Sequence, residues 1–175
     1  MYMKSKLITS LAVISAVFSV FGSTQTTHSG AEMNKPMKPP FTAVNGGFVA
    51  ISVPDLDATT RWYVEKLGLN IVKHATSADK KSAVTILQGN GFSVELIWLA
   101  EAVSLSKIAP ELKGSHQVHG IFKSGIFVDD LDSALKQLKS RHVTVAFEPF
   151  LDSSMQCRMF AIRDNNEDIL QFFGR

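Results

Sequence analysis

Cysteine is almost missing from this chain. Cys157 is the single one among 175 residues, so neither an intramolecular disulfide nor a Cys-rich metal motif is available. Charge of one sign is also scarce. The formal net charge is +2, evenly spread, with no block of like charges, which excludes a nucleic-acid footprint and a charged interaction tail. There is no glycine-rich phosphate loop and no serine-elbow motif. No apolar run reaches the ~20 residues that span a bilayer comfortably. What remains is globular in composition, 45% hydrophobic and 19% charged, and long enough for one ordinary domain with a tail.

The tail comes first. Lys4 and Lys6 precede Leu7 to Phe21, apolar apart from Thr9, Ser10, Ser15 and Ser19; Gly22, Ser23 and Thr24 follow. A basic start, an apolar core of about 15 residues and a small-residue exit read as a secretory signal peptide. Residues 1–23 are assigned to it, and the protein is expected to be exported, periplasmic or extracellular. The alternative is an uncleaved N-terminal anchor, the one membrane contact this sequence offers; no cysteine follows to carry a lipid. Residues 24–41, with Pro36, Pro39 and Pro40 and no hydrophobic period, read as a polar linker.

Residues 42–175 repeat themselves. Val53-Pro-Asp-Leu-Asp-Ala58 matches Val128-Asp-Asp-Leu-Asp-Ser133 at an offset of 75, and Val94-Glu-Leu-Ile97 matches Leu170-Gln-Phe-Phe173 at 76. In the first half, Phe48 to Val53 is a β-branched apolar run, hence a strand. Pro54 ends it and Asp55 or Asp57 caps a helix. Leu56, Tyr63, Val64 and Leu67 recur at helical spacing up to Gly68. Strands follow at 70–74, 83–87 and 92–99, the last two joined by an Asn90-Gly91 turn. The second half repeats the order: a strand at 121–128, a helix with Leu131, Ala134, Leu135 and Leu138 on one face, then strands near 143–147, 157–162 and 169–173. A short helix is expected within 105–112. Neither half can bury its sheet alone, so the modules, 42–100 and 119–175, are expected to pair around a shared cavity.

Three motifs carry a family resemblance. Val53 to Leu69 resembles a strand, Asp-Leu, helix, Tyr, Leu-Gly signature; Val128-Asp-Asp-Leu-Asp132 resembles its second-module counterpart; Arg158 to Gln171 resembles a final hairpin, with Asp164-Asn-Asn-Glu-Asp168 where the family has Asp-Pro-Asp-Gly-Asn. Asparagine tolerates the left-handed turn geometry that the lost glycine served. By these motifs the chain resembles the vicinal oxygen chelate superfamily of glyoxalases, bleomycin resistance proteins and extradiol dioxygenases. The implied fold class is α+β, two tandem βαβββ modules forming an open barrel.

The resemblance also implies a metal site, with one ligand from the first and last strand of each module. The matching positions are Phe48, Glu95, Lys123 and Gln171. Phe48 has no lone pair, and a protonated Lys123 is a donor that repels a cation. Glu95 and Gln171 alone are poor ligands for a divalent ion. No cofactor and no metal is therefore expected. Strand alternation points these four into the cavity, where a buried Glu95 and a buried Lys123 are costly unless they pair. The expectation is an ion pair, with Gln171 bonded to one member, serving either the core or a ligand. Ser52 lies on the same face. Phe48 and Phe127 either stack on a planar ligand or fill the cavity. Arg158 either clamps an anionic group at the mouth or is a plain strand arginine.

His116 and His119 fall in the connection, where their spacing has no fixed geometry; His28, His74 and His142 look peripheral, His142 in a strained turn. Cys157 reads as core. The function expected is sequestration of a small organic molecule, planar or amphipathic, in a metal-free cavity, as bleomycin-resistance relatives do, with a homodimer as partner state. The alternative is a glyoxalase-like lyase or isomerase, or a dioxygenase-type enzyme.

Overall fold

The computed structural model describes residues 47–89, 91–112, 119–153 and 155–174. The expected signal peptide and linker, with His28, and also Asn90 and His116, lie outside the described residues.

The first module runs β1 (Val49–Ser52), α1 (Leu56–Trp62), β2 (Asn70–Thr76), β3 (Ser82–Gly89) and β4 (Phe92–Leu99). After a short α2 (Leu105–Ile108), the second module runs β5 (Ser124–Phe127), α3 (Leu131–Ser140), β6 (Thr144–Asp152), β7 (Cys157–Arg163) and β8 (Ile169–Gly174). The sheets have strand orders β1-β4-β3-β2 and β5-β8-β7-β6. In each, the first strand pairs parallel to the last and the other pairs are antiparallel. The tandem βαβββ reading is therefore what the chain adopts, as two curved sheets rather than one closed barrel.

The caps explain the helices. The Asp55 carboxylate accepts from the Ala58 amide at 2.8 Å, and Asp130 accepts from Ser133 at 2.9 Å, so each helix starts where its Asp satisfies a free N–H. α1 continues as a π-helical turn, Tyr63–Leu67, and stops at Gly68 with φ +73°. Past α3 the left-handed position is His142, at φ +57°. The core lies between each helix and its sheet. Leu56 and Tyr63 pack with Leu87, Val94 and Leu96; Leu131 and Leu138 pack with Phe160, Ile162, Leu170 and Phe172. Phe160 and Phe172 stack with centroids 4.8 Å apart.

The modules meet through α1 and the β7–β8 turn. The buried Tyr63 hydroxyl donates to Asp164 Oδ2 at 3.0 Å, and the side-chain amides of Asn165 and Asn166 reach Thr59 Oγ1 at 3.1 and 3.0 Å. Lys66 Nζ donates to the Arg141 carbonyl at 2.7 Å, while Arg141 Nη1 donates to the Lys66 carbonyl at 2.9 Å. These two residues stand 75 apart, the offset of the repeat. Reciprocal contact between equivalent positions is the mark of a local twofold axis.

Two boundaries differ most from expectation. The strand expected from 121 begins at Ser124, and the one expected over 143–147 extends to Asp152. β1 and β5 each pair along one edge only, with β4 and β8, over four residues.

Candidate functional site

Alternation sorts each sheet into a helical face and a concave face. Val49, Val94 and Leu170 face the helices, as expected, so their neighbours along the chain face the other way. Glu95 lies beside Ala50 and Ile86, and Ile97 beside Ser52. On the second sheet Gln171 lies beside Gly125 and Ala161, and Phe173 beside Phe127 and Met159. Phe127 stacks on Phe173 at 5.2 Å. A Cβ at Gly125 would approach the Phe173 ring to 3.3 Å, so glycine there makes room for the aromatic pair. Phe48 and Phe127 are 67% and 86% exposed. They stand open to solvent rather than filling a core.

Gln171 is the opposite case. It is 1% exposed; its Nε2 donates to Met159 Sδ at 2.7 Å, and its Oε1 is buried with no hydrogen-bond partner. A buried carbonyl left without a donor costs about 1–3 kcal/mol.

The expected Glu95–Lys123 ion pair does not form. Among the described residues the ion pairs are Lys139–Glu148, Arg158–Asp132 and Arg163–Glu167, and Gln171 bonds to Met159, not to either charge. Lys123 precedes β5, outside the ladder that would have aimed it, and sits 5.9 Å from the Phe122 ring centroid. Burial pushes its pKa down. What the structure does bring together is Ser52 and Lys123. Both line a crevice of about 230 Å³ between β1 and residues 121–124, which Asp168 and Ile169 also line.

Asp168 is a site residue that the sequence reading passed over. Burial and then the neighbouring Asp164 charge push its pKa up to about 6. Burial also raises Asp164, against the amides of Asn166 and Asp168 that hold its charged form, and burial beside Asp164 raises the Tyr63 phenol. Its signal was present: two aspartates four apart in one turn place like charges together.

Arg158 is not at the cavity mouth. It shares the helical face with Phe160 and Ile162, and its guanidinium grips Asp132 with Nη1–Oδ2 at 3.1 Å and Nη2–Oδ1 at 2.8 Å. The alternation of β7 sends residue 158 to the face opposite Gln171's neighbour Ala161. Phe48, Ser52, Glu95, Lys123, Phe127 and Gln171 stay on the concave side or its seam.

A divalent metal does not fit these residues. Of the four inherited positions only Glu95 and Gln171 offer oxygen, and Gln171 is buried under a sulfur contact. Among the described residues no three His, Cys, Asp or Glu side chains cluster. The Lys123 ammonium adds repulsion.

The family model of the Glyoxalase/Bleomycin resistance protein/Dioxygenase superfamily matches residues 47–167. The chain belongs to this superfamily. Its fold is shared by solved structures. A glyoxalase family protein from Enterococcus faecalis is 16% identical, with TM-score 0.60, covering 76% of this chain and 98% of that one. A glyoxylase/bleomycin resistance protein/dioxygenase domain from Frankia sp. EAN1pec is 16% identical, with TM-score 0.60 and coverage of 77% and 92%. A glyoxalase I mutant from Zea mays is 21% identical, with TM-score 0.56, covering 72% of this chain and 43% of that one. No curated protein sequence matches. At these identities the likeness to the solved structures is one of fold.

Proposed function

We propose that the protein is an exported, metal-independent binding protein that holds a small, planar or amphipathic organic molecule on its concave aromatic face. One observation carries the reading. Gln171 Oε1 is buried without a donor on the sheet face that also presents the exposed Phe127 stacked on Phe173. A ligand offering a flat apolar body and one N–H or O–H matches both: the ring would lie on Phe127, and the donor would reach the amide once the ring shifts. Membership of a superfamily whose name includes bleomycin resistance proteins supports sequestration as a mode.

The test is a thermal-shift screen of aromatic metabolites and antibiotics on purified protein, with metal analysis alongside. A ligand at a hundredfold its Kd raises stability by about 2.7 kcal/mol. The expected result is a hit whose shift is lost in Phe127→Ala, which itself melts near the wild-type temperature because the side chain is exposed. One tightly bound metal per chain with glyoxalase turnover would overturn the reading.

A metal-independent lyase or isomerase is the second reading. Asp168, titrating near 6 in the crevice that Lys123 shares, favours it, because acid–base groups work best when they titrate near the operating pH.

A further inference from the structure

We propose that the groove on the helical face of the first module binds a guanidinium group brought from outside the chain. The internal repeat supplies the comparison. In the second module the Arg158 guanidinium grips Asp132 with two parallel hydrogen bonds, at 3.1 and 2.8 Å. The residue 75 positions before Asp132 is Asp57, so the first module keeps the carboxylate; the residue 75 before Arg158 is Ala83, so it lacks the arginine. The register confirms the equivalence. Ala83 faces Thr76 across β2–β3 as Arg158 faces Leu151 across β6–β7. Both helices begin on an equivalent aspartate cap, Asp55 and Asp130, so Asp57 and Asp132 sit at the same step of the same turn.

Where Arg158 would lie there is instead a groove of about 380 Å³, lined by Asp55, Asp57, His74, Thr76, Ala83 and Trp98. That is within the roughly 300–1,000 Å³ range of small-ligand sites. Asp57 takes part in none of the ion pairs among the described residues. Trp98 pairs with Ala83 across β3–β4, in the place that Gly174 holds opposite Arg158. The first module therefore exchanges an internal guanidinium for an indole wall. His74 closes another side, its Nδ1 held 2.9 Å from Thr85 Oγ1.

The chemistry selects the ligand. A guanidinium is planar, matches a carboxylate bidentately and stacks on an indole face at once. An ammonium makes a single-point contact. The shared chemistry has two sources: a free guanidine-bearing small molecule, or an arginine side chain of another polypeptide.

The Trp98 indole N–H resonance, assigned by its loss in Trp98→Phe, reports the groove by NMR on the full chain. Its probes are methylguanidinium, a blocked Gly-Arg-Gly tripeptide and the matching Gly-Lys-Gly. A saturable shift with both guanidinium probes is expected, weakened roughly tenfold for the lysine peptide and for Asp57→Asn. Ala83→Arg, which seats its own guanidinium as the second module does, should abolish it. Asp57 is exposed, so Asp57→Asn folds normally and keeps the test valid if Ala83→Arg does not fold. Tighter binding of the tripeptide than of methylguanidinium assigns a polypeptide source; equal binding assigns a small molecule. No saturable shift, an equal response to lysine, or an unchanged response in Asp57→Asn overturns the proposal.

Discussion

Gln171 and Asp168 are held in forms that the surrounding fold does not favour. A buried amide oxygen without a donor is destabilising, so Gln171→Met should leave stability unchanged or raise it by up to about 1 kcal/mol in urea unfolding, while reducing any ligand-induced melting shift. A large loss of stability would mean that the amide is structural. Asp168 has a folded pKa above its ordinary value, about 6 against 3.8. It favours the protonated fold, so its contribution is fully present below 3.8 and is lost as pH rises through 6. That rise in pKa is worth ~3 kcal/mol gross, but Asp168 is an exposed residue and solvent screening reduces it to on the order of 1 kcal/mol. Asp168→Asn should therefore be more stable than wild type at pH 7 by about 1 kcal/mol, the gap closing near pH 4. A gap that persists at pH 4 would assign the effect to something other than titration.

Between elements, the decisive junction is the β7–β8 turn against α1. Tyr63 is fully buried and its hydroxyl is the one phenolic donor to Asp164, whose other oxygen takes the amides of Asn166 and Asp168 at 2.8 and 3.0 Å. Tyr63→Phe deletes that donor and leaves a carboxylate oxygen unmet, a loss of about 1–3 kcal/mol. The same bond joins the modules, so the variant's amides in both modules should lose hydrogen-exchange protection together. Loss confined to the first module would show that the turn does not couple them. The turn itself departs from the family at its proline and glycine, yet Glu167 adopts φ +69° within it, so the hairpin keeps a left-handed residue without glycine.

Over the whole molecule, large apolar side chains stand open on the concave side and its seam: Phe48, Ile121, Phe122 and Phe127. Large apolar side chains left open in this way point to an interaction surface. A homodimer that covers part of it is the expected assembly. Sedimentation equilibrium of wild type should give a dimer that Ile121→Asp shifts toward monomer, and a wild-type monomer at micromolar concentration would sink the expectation. Export is a separate matter: mass spectrometry of secreted protein should find a new N-terminus near residue 24.

The amino-acid sequence by itself determined the order of elements, because capping aspartates, helical spacing and strand alternation are local signals that repeat 75 residues apart. It also determined the chemistry at the positions matching the family's ligands, since Phe48 has no lone pair and a protonated Lys123 is a donor only. Tertiary structure decided where charges end up. Lys123 falls before its strand and misses Glu95; Arg158 turns to the helical face and takes Asp132; Asp168 is driven toward neutrality by a neighbour and by burial. Pairing and desolvation depend on distances between residues far apart in the chain, and no periodicity encodes those.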